Sequence, residues 1–281
     1  MTLSVVIITL NEEANLGRTL ASVQPLVADG KGEIIVVDSG STDRTVEIAK
    51  SLGAKVFIEE WKGYAAQKNS AIDKATSDWI LSLDADEEVD SELLDLLAGH
   101  ADDKQPPGNP SHEWCLTMGR GGKEFLKGAP AGFLVRRKNY FLGRWIRHGG
   151  FWPDSKLRIF RLGTGKFENR AVHEDIDVDG PTKLMPTGAL LHHSYPTLSD
   201  YIEHMNRYSS LGAEMVVAKR EGKVEFSVSN IVVRPLATFI YNYFFRLGFL
   251  DGREGLLLHL YHALYVSWKY AKAWELSRKQ S

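Results

Sequence analysis

Short apolar runs alternate with segments of helical repeat over the first hundred positions. Leu3 to Ile8 is continuously apolar and reads as a buried first strand. After Thr9-Leu10-Asn11-Glu12-Glu13, apolar residues recur at Leu16, Leu20 and Val23, the spacing of one helix face, with Asn11 expected as its cap. Glu33 to Val37 predicts a second strand, and Val46, Ala49 and Leu52 mark a second helix. Lys55 to Ile58 predicts a third strand, Ala65 to Ala75 a third helix, and Trp79 to Leu83 a fourth strand. Strands that alternate with helical segments specify a parallel sheet with right-handed crossovers. The expected class is therefore α/β, a Rossmann-like, mostly parallel sheet with flanking helices.

The pattern changes after the helix expected over Ser91 to His100. Asp102 to Pro110 is rich in Pro, Gly and charge and reads as an exposed connector. Met185 to Leu191 reads as a strand and Tyr201 to Lys219 as a helix. Ile231 to Leu250 is apolar, with Phe239, Tyr241, Tyr243, Phe244, Phe245 and Phe249, and Gly252 to Arg278 carries Tyr261, Leu264, Tyr265 and Trp268 at helical spacing. Three regions follow: 1–100, 101–198, and 199–281 as a helical extension. Aromatics beside Arg234, Arg246, Arg253, Lys269, Lys272, Arg278 and Lys279 suit helices lying at a lipid interface. Packing on the rest of the chain or on a second subunit would explain the same faces equally well.

Charge and composition narrow the partners. A formal net charge of −2 argues against general nucleic-acid binding. The single Cys115 excludes an intramolecular disulfide and fits a reducing compartment. No apolar run approaches the roughly 18 to 20 residues that span a bilayer, and Met1 to Ile8 lacks a signal peptide's charged start. Between Arg136 and Arg161 the chain instead gathers Arg136, Arg137, Lys138, Arg144, Arg147, Lys156, Arg158 and Arg161 against the one acid Asp154, interleaved with Trp145, Phe151 and Trp152. Arginines and aromatics together suit a sugar that carries an anion, so Arg136, Arg144, Arg147, Trp152 and Arg158 are candidate acceptor-binding residues.

The sharpest chemistry lies at the fourth strand's end. Asp84-Ala85-Asp86 would be delivered to the rim where open parallel sheets bind ligands. Two carboxylates there can hold Mg²⁺ or Mn²⁺, and the cation a diphosphate; taken alone, they read better as an acidic turn before a helix. The chain has no Gly-x-Gly-x-x-Gly after its first strand and no Gly-Lys-Ser/Thr loop, which argues against a dinucleotide fold and a P-loop NTPase. A sugar-phosphate nucleotidyltransferase would share the metal rim but needs a glycine- and arginine-rich loop that is missing here. Thr9 to Glu12, Asp38 and Gln67-Lys68 complete the rim, Asp38 as an acceptor for a base or ribose and Lys68 as a diphosphate partner. Farther on, Glu174 or Asp175 could serve as a general base, and His192 could meet a metal or phosphate.

Ser4 to Glu13, Ile35 to Asp43, Gln67 to Ala71 and Asp84-Ala85-Asp86 together resemble the family 2 glycosyltransferases of GT-A fold. The resemblance implies that Thr9, Leu10, Asn11, Glu12, Asp38, Gln67, Lys68, Asp84 and Ala85 surround the nucleotide of a nucleotide-sugar, and that Asp86 with Asp84 holds the metal. Leu10 stands where an aromatic is common. Within the family the chain looks most like the lipopolysaccharide inner-core β-glucosyltransferase subgroup, in which a His-Glu pair favours Glu174 as the base; the wider family's Glu-Asp pairs keep Asp175 open. The same resemblance places His192 as a metal or phosphate ligand. It implies an inverting, metal-dependent hexosyltransferase using a UDP-sugar, with UDP-glucose as best guess, on a lipid-linked or lipopolysaccharide core acceptor at the inner face of the cytoplasmic membrane. Protein and polyprenyl-phosphate acceptors are the alternatives within this class, and a non-catalytic glycan- or lipid-binding module lies outside it.

Overall fold

The computed structural model describes residues 2–99, 130–168 and 175–280. Four parallel strands form its first half: β1 (Leu3–Thr9), β2 (Gly32–Asp38), β3 (Lys55–Ile58) and β4 (Trp79–Leu83). They lie in the order β3-β2-β1-β4, with Thr9 opposite Asp38 and Ile7 opposite Leu83. Helices α1 (Leu16–Val27), α2 (Thr45–Ser51) and α3 (Tyr64–Ile72) connect these strands, as the alternating pattern requires. β1 and β4 are buried along both faces because helices cover them, which is why their sequences run apolar without alternation.

The short β5 (Glu87–Val89) leads into α4 (Ser91–Ala98), whose cap is Asp90, accepting from the Leu93 amide at 3.0 Å. The sheet then continues through β8 (Asp154–Arg161), antiparallel to β4, to β6 (Gly132–Phe141), β11 (Thr182–Tyr195) and β5. β7 (Arg144–Trp145) pairs with the end of β6. A separate two-stranded ribbon joins β9 (Gly165–Phe167) to β10 (Ile176–Val178). The expected α/β class is present, together with a C-terminal helical segment.

The described residues group into two compact units, one within Met1–Arg137 and Ser155–His192, the other within Lys138–Asp154 and His193–Ser281. β6, β8 and β11 each begin in one unit and end in the other. The first unit is centred on Val5, Ile7, Leu20, Val36, Leu81 and Leu93.

In the second unit, α5 (Leu198–Lys219) opens with a reciprocal Thr197–Asp200 capping box, three residues before the expected start. Continuous helical turns follow over 229–245, with α6 (Arg234–Ile240) at their centre. A tight turn through Leu247 (φ 60°) and Gly248–Asp251 leads into α7 (Gly252–Gln280). The two arms run antiparallel: the Ser267 hydroxyl donates to the Ile231 carbonyl at 2.7 Å, and the Tyr243 ring meets His259. Among the described residues no helix is long and apolar enough to cross a membrane.

Candidate active site

The carboxyl ends of β1, β2 and β4 present their acids together, as the alternating pattern predicts. At the end of β4, Asp84 accepts from Lys68 Nζ at 2.8 Å on one oxygen and from Arg158 Nη2 at 2.6 Å on the other. Arg158 also donates to Glu87 at 2.6 Å, and Arg137 reaches the same carboxylate at 3.3 Å. Glu87 is fully buried, and its second oxygen accepts from the Asp84 amide at 3.0 Å. Burial alone would raise the Asp84 carboxyl, but Arg158 and Lys68 hold it well below the usual carboxylate range. The same pairing overcomes desolvation of Arg158 and fixes its positive charge.

Asp86 lies on the other side of Ala85, its Oδ2 3.3 Å from Nε2 of His192 on β11. Against the desolvation that would raise it, His192 keeps Asp86 low, while Asp84 pushes the other way. Ala85 is buried, and its carbonyl accepts from the Thr19 hydroxyl at 2.7 Å, tying α1 beneath the acidic loop. Glu12 is pushed above the ordinary carboxyl range by burial and by Asp86, Asp43 and Asp84, against a hydrogen bond from Asn15. Burial is the larger cause, and the three neighbouring carboxylates add to it. Carboxylate oxygens suit a hard divalent ion, for which the imidazole is a softer partner, and Mg²⁺ characteristically takes one or two carboxylates with phosphate oxygens and water completing its shell. Among the described residues, no three His, Cys, Asp or Glu side chains converge here.

The β2 loop is organised around Asp38. One Asp38 oxygen accepts from the Gly40 and Ser41 amides at 3.0 and 2.8 Å, the other from the Thr9 and Ser41 hydroxyls at 2.9 and 2.5 Å. A carboxylate accepts about four hydrogen bonds, so Asp38 shapes this loop with its full capacity. Asn11 does not cap α1 as expected: it stands at φ 57° and its side-chain oxygen accepts from the Thr42 amide at 2.9 Å, joining the β1 and β2 loops. Leu10 is half exposed on the same rim.

The basic block is less of a surface than its sequence implies. Arg158 is buried between two acids, and Arg136 donates to the Met185 carbonyl at 2.9 Å. Arg161 stacks over Trp79. Gln67 is fully buried, its Oε1 accepting from the Lys62 amide at 3.3 Å, so it faces the interior where the sequence suggested a nucleotide. Arg144, Arg147 and Trp152 belong to the second unit, where Trp152 meets Trp145 edge to face. Glu174 lies outside the described residues. The backbone carbonyl of Asp175 accepts from the Glu168 amide at 3.1 Å beside the β9–β10 ribbon. Sequence reasoning missed Glu87 and Arg137 as parts of the charged cluster. Neither carried a local signal, because Glu87 stands in the acidic run Asp84 to Glu88 and Arg137 in the basic run Arg136 to Lys138, and both runs read as solvated.

The profile of glycosyl transferase family 2 matches residues 4–150. An uncharacterized glycosyltransferase of Rickettsia typhi is 31% identical over 283 residues, 99% of this chain and 88% of that protein. The lipopolysaccharide core biosynthesis glycosyltransferase LpsC of Rhizobium meliloti is 31% identical over 263 residues, 89% of this chain and 82% of LpsC. Among solved structures, Mycobacterium tuberculosis glucosyl-3-phosphoglycerate synthase, crystallised with Mn²⁺, UDP and glucosyl-3-phosphoglycerate, is 33% identical over 31% of this chain and 34% of its own, with a TM-score of 0.29.

Proposed function

Since this chain belongs to glycosyl transferase family 2, we propose that it is an inverting enzyme that moves a sugar from a UDP-sugar, with UDP-glucose the best candidate, to a lipid-linked or lipopolysaccharide core saccharide. The observation that carries this reading is the paired arrangement at the end of β4, Lys68–Asp84–Arg158 beside Asp86–His192. Asp86 and His192 would hold Mg²⁺ or Mn²⁺, with Asp84 behind them, and the cation would offset charge on the departing diphosphate. Lys68, 9% exposed and fixed by Asp84, would hold a phosphate oxygen without reorganising. Thr9, Asn11 and Asp38 would fix the loop that receives the nucleoside.

Glu174 is the proposed base, with Asp175 as its alternative. It would take the proton of the acceptor hydroxyl as that oxygen bonds to the anomeric carbon and the bond to the diphosphate breaks. The likeness to LpsC supports a core saccharide acceptor. The exposed apolar side chains over 226–250 support contact with the membrane that carries it.

Calorimetric titration with UDP, GDP and dTDP, with and without Mn²⁺, tests the donor site. UDP is expected to bind selectively, and tightly only when both metal and Asp86 are present; equal binding by Asp86→Ala overturns the assignment. Glu174→Gln is expected to lower kcat about a hundredfold or more and to leave UDP affinity unchanged. Loss through Asp175→Asn with Glu174→Gln silent would transfer the role. Release of pyrophosphate in place of UDP would point to a nucleotidyltransferase.

A further inference from the structure

The second unit contains a cavity of about 560 Å³ that the donor chemistry does not use. Its lining includes Arg144, Trp145, Arg147, His148, Leu250 and Glu254. Asp251 builds one wall. It is 1% exposed, and its oxygens accept from the Arg147 amide at 3.1 and 3.2 Å and from the His148 amide at 2.8 Å. His148 Nδ1 lies 3.0 Å from the same carboxylate. The loop after β7 is thereby tied to the turn before α7, and the Gly149 amide adds a bond to the Arg246 carbonyl at 2.9 Å.

This tether decides which charges are available to a ligand. The Asp251 carboxylate is consumed by backbone amides and an imidazole. Glu254 pairs with Arg144 at 3.7 Å, a long contact between half-exposed groups that is worth little and easily exchanged. The Arg147 guanidinium stacks on Trp145 at 4.1 Å and, among the described residues, pairs with no carboxylate. His148 is thus held by Asp251, Arg144 is only loosely held by Glu254 and the Leu250 carbonyl, and Arg147 is the cation of the lining that, among the described residues, no acid engages; the Arg147 and Arg144 forks are the groups left to meet a ligand. A phosphate, with its tetrahedral set of acceptor oxygens, is the ligand that such forks match.

The cavity also adjoins the apolar end of the antiparallel hairpin. Leu250 lines the cavity and is 50% exposed; Phe244 and Phe245 are 54% and 74% exposed, and Tyr241, Leu247 and Phe249 are exposed beside them. From Phe226 to Leu250 the only charged residues are Arg234 and Arg246, both cationic. Large apolar and aromatic side chains without acids, edged by arginine, complement an anionic bilayer surface. They also explain why so much apolar area is left uncovered on this unit.

We propose that this cavity is a phosphate site for a lipid headgroup, brought to headgroup depth by the Tyr241–Leu250 tip, with Asp251 as its positioning residue. The proposal rests on the membrane contact proposed above and specifies where the contact is made and what it recognises. Its volume accommodates a phosphate together with the glycerol or sugar attached to it.

Co-flotation of the full chain with vesicles of phosphatidylcholine alone, and of phosphatidylcholine with phosphatidic acid, tests it. Wild type is expected to bind both and to prefer the second by about tenfold or more, as charge-assisted forks would give. Arg147→Gln should keep the first affinity and lose the preference, Arg147→Lys should recover part of it, and Asp251→Asn should weaken it. The surface control Arg44→Gln should change neither. Phe244→Ser/Phe245→Ser should lose binding to both vesicles, and inorganic phosphate should compete more strongly than chloride at equal ionic strength. Binding to both vesicles with an Arg147-independent preference overturns the headgroup site alone. Failure to bind any vesicle, or self-association that buries the tip, overturns the membrane contact as well. UDP titration of the same samples reports separately on the donor site.

Discussion

Arg158 shows how far a residue's role depends on its surroundings. In the sequence it is one cation of a basic block; in the fold it is 5% exposed and bridges Asp84 and Glu87. Removing one partner of a buried charge cluster leaves the others uncompensated, which costs about 3–5 kcal/mol. Arg158→Met is therefore expected to destabilise the chain by that amount in urea unfolding and to weaken UDP binding, because Asp84 would lose the cation that fixes it. Lys68→Met should cost less stability, since Asp84 remains paired. An equal loss from both substitutions would mean that Arg158 has no special place in the cluster. The Asp84–Asp86 spacing was legible from sequence because strand ends deliver acids to the rim. Lys68 and His192 were also read as members of this site, but the Arg158 pairing was not legible, since Arg158 reaches Asp84 from β8.

Among the elements, β11 depends on a close approach that its sequence marks only by a glycine. Gly188 has φ 78°, and a Cβ there would lie 2.5 Å from the Leu93 amide nitrogen, against the backbone of α4. Neither the conformation nor the space admits a side chain, so Gly188→Ala is expected to cost about 1–3 kcal/mol. The shift should appear as a lower urea midpoint, whereas Gly163→Ala, at φ 83° but with open space around it, should cost about 1 kcal/mol or less. Equal costs would remove the packing argument. Gly188 adjoins the register that sets His192 opposite Glu87, so Gly188→Ala should also reduce metal-dependent UDP binding. The parallel helices and strands of the first unit were readable because their period is local. The end of β6 and the whole of β7 were not, because they contribute to the second unit through the long-range tether at Asp251.

At the scale of the whole molecule, the two units carry different acid sensitivities. His259, in the second unit, is 1% exposed, and among the described residues neither ring nitrogen has a hydrogen-bond partner; desolvation, with His262 and Arg246, pushes it down to about 4 against the pull of Asp251. Between its ordinary value of 6.5 and about 4 the unfolded chain takes a proton that the folded chain refuses, so stability falls as pH falls through that window. In the first unit, Glu33 overcomes its own desolvation through bonds from Lys55, Thr76 and Ser4 and sits at about 2. Its contribution is complete above 4.5 and is lost only as pH falls towards 2. Hydrogen exchange should therefore detect loosening around α7 at a higher pH than loosening of the parallel sheet. His259→Phe should be neutral or stabilising near pH 7 and remove the first step; unchanged acid behaviour would exclude His259 as its cause. By itself the sequence determined the α/β order, the rim acids and the apolar, acid-free character of 226–250, because strand alternation, helical repeat and charge are local properties of a chain. Only the tertiary structure decided that Arg158 is interior, that Asp38 spends its acceptors on its own loop, and that Asp251 builds a cavity beside the hairpin tip. Pairing and burial depend on which distant segments meet, and no local pattern encodes that meeting.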